Sequence, residues 1–217
     1  MTATVQNARG PFARAVRAAL LGMALMVPVG VAATPSQAQS GAAAQEIADH
    51  FSTIGSMTGD FIQFDPNGRQ SEGKFYLERP GKVRFDYSGA SLRVIADGDN
   101  VAVNNRKLNT WDTYPLSKTP LKLLLDQRID LASAGIQSVK EDPDLTTIVM
   151  SDKSVFGDSQ ITLMFDSNSF ELRQWTIRDN QGKDTTVMVN NVRNGVTLDQ
   201  SMFKIPYNQI ATGQTGN

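Results

Sequence analysis

Apolar and polar residues alternate with a period of two in three short runs between Gly59 and Tyr87. Such alternation is typical of strands that bury one face and expose the other. The runs are joined by the sequences DPNG and RPG, in which proline fixes φ and glycine supplies the positive φ that tight turns need. This stretch therefore predicts an antiparallel meander with Arg79 at the lip of its second turn.

The same reading extends over the rest of the chain and predicts about eleven strands. They are placed at 59–65, 70–78, 82–88, 91–96, 101–104, 109–113, 134–140, 145–151, 159–166, 170–178 and 184–192. Many short strands in meander order, with no linker and no repeat, indicate one mainly β domain with some helix, an α+β fold built on a curled antiparallel sheet or open barrel. A short helix near 198–203, which follows a contact of Asp199, and a loose polar tail after Pro206 complete the prediction.

Two predicted helices each carry one strongly apolar face. In the first, over 40–57, Ile47, Phe51 and Ile54 recur at i, i+4 and i+7, which places them on one stripe. The second, over 116–128, contains the run LKLLL after a predicted Thr119 cap and a proline. The concave side of a curled sheet is the natural place for such faces. The sequence therefore predicts an incomplete antiparallel β-barrel whose concave apolar face is covered by helices, that is, a lidded cavity.

The N-terminus predicts a secretory signal peptide over residues 1–38. Three arginines and no acid lie within residues 1–17, residues 18–33 are uncharged and mostly apolar, and small residues precede a cleavage site after Ala38, with Ala33 as the alternative. A membrane anchor is the other reading, but 16 residues fall short of the roughly 20 that span a bilayer. The chain has no cysteine, which excludes a lipid attachment site and disulfides. The prediction is one exported periplasmic domain over 39–217.

Composition and motifs exclude several classes of function. Without the leader the chain carries 18 basic and 22 acidic side chains, a net charge of −4 with no basic cluster, which disfavours nucleic acid binding. His50 is the only histidine, so a metal site or catalytic triad lacks partners. Gly157 to Ser159 lacks the G-x-S-x-G elbow, and Asp97 and Asp99 are explained by a hairpin turn. No enzyme activity, metal or cofactor is predicted.

Two features remain after these exclusions. Arg79 directly precedes Pro80 and Gly81; at the rim of an apolar cavity its five donors would bind carbonyls at the ends of the lid helices, and an exposed turn arginine of little consequence is the alternative. The predicted sheet is also rich in large apolar residues, which either form an ordinary core or line the cavity. The period alone does not decide which face they occupy.

Several motifs together resemble the LolA family, the periplasmic carriers of outer-membrane lipoproteins. They are F-x-Q at 61–63, GKFYLxRPG at 73–81, RFxY at 84–87, IADG at 95–98 and YPLSKTPLxLLL at 114–125. The resemblance covers roughly residues 46–206. It implies an incomplete barrel in which Arg79 hydrogen-bonds lid carbonyls near Phe51, Leu124 and Leu125. The chain departs from the family at 101–103, where VAV replaces an inward aromatic.

The resemblance also implies a site and partners. The expected binding residues are Arg79, Phe51, Leu121, Leu124, Leu125, Phe61, Phe75, Leu77, Phe85 and Trp111. The expected partners are acylated lipoproteins, an ATP-using inner-membrane ABC-type release complex and an outer-membrane acceptor or the membrane itself, with the carrier acting as a monomer. A lipid-binding sensor or regulatory domain of the same fold, as in RseB-like proteins, is the alternative function. The related receptor LolB is itself a lipoprotein, and the missing cysteine favours the carrier.

Overall fold

The computed structural model describes residues 36–131, 135–151 and 159–212. Residues 1–35, which hold most of the predicted signal peptide, lie outside this range, as does most of the Gly157 to Ser159 triplet.

The fold is one antiparallel sheet of eleven strands. The strands are β1 Ser56–Phe64, β2 Gln70–Glu78, β3 Lys82–Tyr87, β4 Leu92–Asp97, β5 Asn100–Asn105, β6 Thr110–Pro115, β7 Ile136–Glu141, β8 Leu145–Met150, β9 Gln160–Asp166, β10 Leu172–Arg178 and β11 Asp184–Asn194. Their order across the sheet is β6-β5-β4-β3-β2-β1-β11-β10-β9-β8-β7. Strands that are neighbours in sequence pair with each other, except β6 and β7, and β1 pairs with β11. The sheet therefore stays open at its two edge strands, β6 and β7. The predicted open, incomplete barrel is confirmed.

The helices differ from the predictions at both ends of the first helix, in the second helix and in the tail. They are α1 Ser36–Thr53, the 3₁₀ turn η1 Leu116–Lys118, α2 Leu121–Leu125, the 3₁₀ turn η2 Gln200–Phe203 and α3 Tyr207–Thr212. The first helix ends at Thr53, not at 57, because the backbone from Ser56 onward pairs with β2 and β11. In the tail after Pro206, predicted to be loose, Tyr207–Thr212 form α3, and residues 213–217 lie outside the described residues.

The second predicted helix is broken in two by Pro120. Proline has no backbone N–H and cannot continue a helix that precedes it, so η1 ends before it and α2 starts after it. The hydroxyl of Thr119 does not cap α2; it donates to the carbonyl of Leu116 at 2.9 Å. The predicted contact of Asp199 is confirmed, since its carboxylate accepts from the backbone N–H of Ser201 at the start of η2.

Because successive side chains point to opposite faces of the sheet, each face has its own apolar side chains, and a different segment of the chain packs on each face. On the concave face, Val83 and Phe85 of β3 belong to the main core, which α1 and α2 complete. On the convex face, Ile95 of β4 joins Ala102 and Ile205 in a small separate cluster, so the segment that holds η2 and α3 covers this part of the sheet. The main core is therefore the layer between the sheet and the two helices.

Candidate functional site: an apolar interior closed by two helices

The layer between sheet and helices encloses a small and entirely apolar cavity. Its volume is about 20 Å³, which is room for about one water. The lining comes from the two helices and from both halves of the sheet: Phe51, Met57, Phe75, Leu77, Val83, Phe85, Leu121, Leu124, Leu125, Leu172, Trp175 and Val189. The interior is thus nearly closed in this conformation.

Helix α1 contributes one apolar stripe to this interior. Ala44, Ile47, Ala48 and Phe51 recur at i, i+3, i+4 and i+7 and are all buried, as expected for a helix that turns one side to a core. The Phe51 ring packs edge-on against Phe165 of β9, with 5.5 Å between ring centroids. The apolar stripe therefore packs α1 against the half of the sheet that β7 to β11 form.

Helix α2 covers the other part of the concave face and continues into a segment that binds α1. Leu123, Leu124 and Leu125 are buried, and so are Ile129 and Leu131 farther along. A helix of five residues makes few internal hydrogen bonds, so these apolar side chains hold it in place by packing.

Hydrogen bonds join the segment after α2 to α1. The Gln45 side chain donates to the carbonyl of Ile129 at 3.2 Å and accepts from the N–H of Leu131 at 3.3 Å. The N–H of Ile129 also donates to the hydroxyl of Ser52 at 2.9 Å. Helix α1 and residues 121–131 thus form one covering layer, called the lid below.

Arg79 binds this lid from the turn between β2 and β3. Its Nη1 donates to the carbonyl of Ile54 at 2.7 Å, its Nη2 to that of Leu124 at 2.9 Å and its Nε to that of Asp126 at 3.0 Å. The three carbonyls lie just past the C-terminal end of α1 and at the end of α2, where the helix dipole is negative. The predicted contact with lid carbonyls is present, with Ile54 and Asp126 flanking the expected positions.

The charge of Arg79 is retained although the group is largely buried. Its Cζ lies 4.4 Å from the centroid of the Phe51 ring, a cation–π distance. Burial lowers the pKa of Arg79 to about 10, which still leaves the guanidinium protonated at neutral pH.

The β2–β3 turn, which carries Arg79, packs closely against the β4–β5 turn. Gly81 has a φ of +79°, and a Cβ at this position would lie 2.6 Å from the Cα of Gly98 in the β4–β5 turn, so only glycine fits. The N–H of Gly81 donates to the carbonyl of Leu125 at 2.8 Å. The β4–β5 turn is itself held by Tyr207 of α3, whose hydroxyl donates to Asp97 at 2.6 Å.

Most of the predicted site residues meet at the interior. Seven of them line the cavity: Phe51, Leu121, Leu124, Leu125, Phe75, Leu77 and Phe85. Phe61 lies beside the lining, with its ring edge-on to Phe85 at 5.2 Å and to Tyr87 at 5.0 Å.

The hydroxyl of Tyr87 donates to the side chain of Gln63 at 2.7 Å, and burial raises the pKa of this tyrosine to about 12. The F-x-Q motif thus packs on the RFxY motif.

Trp111 is placed elsewhere, and its assignment to the lining is corrected. It pairs with Asn104 across β5 and β6 and packs against the convex cluster of Ile95, Ala102 and Ile205. Alternation shows that β6 has two faces but does not tell which one is concave. Sequence reasoning also missed Met57, Val83, Leu172, Trp175 and Val189 as lining residues, although the alternation within their strands was visible.

Other chemistry is sparse in the part of the chain that the structure describes. No group of three or more His, Cys, Asp or Glu side chains there could hold a metal ion. His50 is exposed on α1, with its ring edge-on to Phe170 at 5.6 Å. Asp97 accepts from the N–H groups of Asp99 and Asn100, as a turn residue does. A bilayer-spanning helix, long and apolar enough, is also absent from the described ranges.

Comparison with known proteins identifies the family. The family model described as outer membrane lipoprotein carrier protein LolA matches residues 52–206. The chain belongs to the LolA family. This is a family of carrier proteins and not of enzymes, and the resemblance inferred from the motifs is confirmed.

Individual relatives agree with this assignment. An outer-membrane lipoprotein carrier protein of Methylobacillus flagellatus is 26% identical over 211 residues, which cover 88% of this chain and 94% of that protein. Another of the same name, from Methylococcus capsulatus, is 27% identical over 151 residues, covering 66% and 72%. In fold, the chain is similar to a DUF1329 family protein of Desulfovibrio piger, with a TM-score of 0.51 at 11% identity over 78% of this chain and 97% of that one.

Proposed function

We propose that this LolA family protein carries outer-membrane lipoproteins through the periplasm and holds their acyl chains between the sheet and the lid. The observation that carries the proposal is the interior lined by twelve apolar residues and closed by a lid that one buried arginine binds. The membership of a family of lipoprotein carriers supports the cargo class.

The size of the closed cavity fixes how cargo would enter. A space of about 20 Å³ holds no acyl chain, so the lid has to move and the acyl chains take the place of Leu121, Leu124 and Leu125 against the sheet. Burial of acyl chains stabilises by about 0.8 kcal/mol per methylene, so a triacylated anchor of about 40 methylenes gains on the order of 30 kcal/mol. Such an anchor needs a carrier to cross water.

Release of this cargo requires a second conformation that competes with the loaded one. The closed lid buries its own leucines and accepts three hydrogen bonds from Arg79. Both stabilising contributions are regained when the cargo leaves. Arg79 therefore biases an equilibrium between an open, loaded form and a closed, empty form.

The partners in this scheme lie at both ends of the route. The sequence contains no phosphate-binding loop, so energy for loading comes from an ATP-using inner-membrane release complex. Delivery is downhill to an outer-membrane acceptor or to the membrane itself. We expect the carrier to act as a monomer.

Photocrosslinking tests where the cargo binds. A photoreactive amino acid replaces Leu121 at the interior, and the control places it at Met188, which is 39% exposed on the convex face. After incubation with membranes that release lipoproteins, we expect crosslinks to the acylated anchor from position 121 and none from 188. Equal crosslinking at both positions, or crosslinks to free phospholipid alone, would contradict the carrier role and favour a lipid-sensing one.

A further inference from the structure

The hairpin between β5 and β6 presents an apolar side chain together with two cations. Leu108 at its tip is 67% exposed, more than any other large hydrophobic residue in the ranges that the structure describes. Arg106 and Lys107 precede it directly and are exposed. The Asn105 carboxamide accepts from the N–H groups of Lys107 at 3.1 Å and Leu108 at 3.2 Å, so the tip has a defined conformation.

The neighbouring β3–β4 turn supports this tip. The N–H of Arg106 donates to the carbonyl of Ser91 at 2.6 Å, and its Nη2 donates to that of Ala90 at 3.3 Å. Residues 88–91 and 106–109 thus form one surface, called the basic rim below. Its sequence is SGAS beside RKLN, with two cations and no carboxylate.

Two turns at the opposite end of the sheet are rich in acidic side chains. Asp97 and Asp99 lie at the β4–β5 turn, and Glu141, Asp142 and Asp144 lie at the β7–β8 turn. The antiparallel register places both turns at the end away from the basic rim. In a chain that is acidic as a whole, the rim is thus a local positive surface, and an anionic partner would meet this end first.

We propose that the basic rim is a contact surface for an anionic lipid membrane, with Leu108 in the headgroup boundary and Arg106 and Lys107 on lipid phosphates. A single exposed leucine is common on protein surfaces. An exposed leucine that lies next to two cations, with no carboxylate in the basic rim, is suited to the surface of an anionic membrane. The contact orients the strands end-on to the membrane with Arg79 at the far end. It is testable without cargo and does not depend on the carrier role.

Vesicle flotation tests the contact. The protein isolated from a periplasmic extract is mixed with vesicles of phosphatidylglycerol and phosphatidylethanolamine, or of phosphatidylcholine alone. We expect flotation with the anionic vesicles, weakening as salt is raised, and none with phosphatidylcholine. Arg106→Gln with Lys107→Gln should lower the apparent affinity about 25-fold, roughly fivefold for each cation. Leu108→Ser should lower it about tenfold.

Matched controls separate the rim from net charge and hydrophobicity. Lys118→Gln with Lys204→Gln makes the same change in charge away from the rim, and Leu145→Ser removes a leucine that is 37% exposed at the acidic end. Both should bind within about twofold of the unmodified protein. No flotation with anionic vesicles would overturn the proposal and favour an acidic protein partner for the rim. The proposal would also be overturned if the rim variants and the control variants lost the same fraction of their affinity for anionic vesicles.

A fluorescent label tests insertion directly. Because the chain has no cysteine, Leu108→Cys and Leu145→Cys each create a single site for an environment-sensitive dye. We expect a blue shift on anionic vesicles for the dye at 108 and none for the dye at 145. An aqueous spectrum at 108 in protein that floats would refute insertion. Photocrosslinking of cargo from position 121 should be unaffected by Leu108→Ser, so failure of one proposal is distinguishable from failure of the other.

Discussion

Replacement of Arg79 by leucine is the sharpest perturbation of the lid. The substitution removes the donors for the carbonyls of Ile54, Leu124 and Asp126 but keeps an apolar side chain over Phe51. Three hydrogen bonds from a charged donor contribute on the order of 5–9 kcal/mol together. These values are already net of the desolvation of the guanidinium, so the closed lid should lose about 5–9 kcal/mol.

Hydrogen exchange measures this loss residue by residue. Even the lower value corresponds to more than a tenfold increase in the open population. We expect amides of α1 and of residues 121–126 to exchange at least about tenfold faster in Arg79→Leu, while those of β1 and β2 keep their protection. A looser lid should also bind cargo more tightly or release it more slowly, so transfer to acceptor membranes should fall.

Arg93→Leu is the matched control for this experiment. Arg93 is a half-buried arginine of β4 whose Nε donates to the carboxylate of Asp86 in β3 at 2.8 Å. It should leave lid exchange unchanged. Unchanged exchange and transfer in Arg79→Leu, or equal acceleration in Arg93→Leu, would refute the reasoning that Arg79 holds the lid closed.

Three further changes test separate parts of the account. Leu124→Asp puts a carboxylate into the apolar interior and should abolish acyl binding with the far-UV circular dichroism of the sheet retained; retained lipid uptake would show that α2 is not part of a lid. Gly81→Ala should lower the melting temperature by several degrees, because its Cβ would lie 2.6 Å from backbone at a φ of +79°; Gly89→Ala, at φ +68° with open space around it, should lower it less, and equal effects would exclude the close contact as the cause. Backbone N–H donation from Ser169, before other contacts, lowers the pKa of Asp166 to about 2. Stability from this group is present above its unfolded pKa and lost as pH falls towards 2, so Asp166→Ala should flatten the melting temperature between pH 4 and about 2, and an unchanged acid profile would remove that contribution.

The strands were predictable because turn chemistry marks their ends. Predicted strand 70–78 coincides with β2 because DPNG precedes it and RPG follows it. The position of Arg79 before this second turn left a lid contact and an exposed turn arginine both open, and the resemblance to the LolA family implied the lid contact. The acceptor of Arg79 at Ile54 depends on where α1 ends, which the local pattern misjudged because pairing of the backbone with β2 from Ser56 and with β11 from Met57 overrides the helical period.

The assignment of faces was less accessible from sequence. The period of two places Trp111 on one of two faces, and only the cover over the convex side, supplied by a segment some 90 residues away, decides which. Leu172 and Trp175 were overlooked for a related reason. Their strand, β10, lies beside the cavity because it pairs with β11 and β11 pairs with β1. Pairing between strands that are so far apart in sequence cannot be predicted from a local motif.

Native mass spectrometry of the protein isolated gently from a periplasmic extract tests the central claim most directly. The account predicts that the unmodified protein is isolated as a complex with one acylated lipoprotein. The variant Leu124→Asp, isolated in the same way, should carry none. A folded protein that carries free phospholipid, or nothing, under conditions where lipoproteins are released would contradict the carrier function.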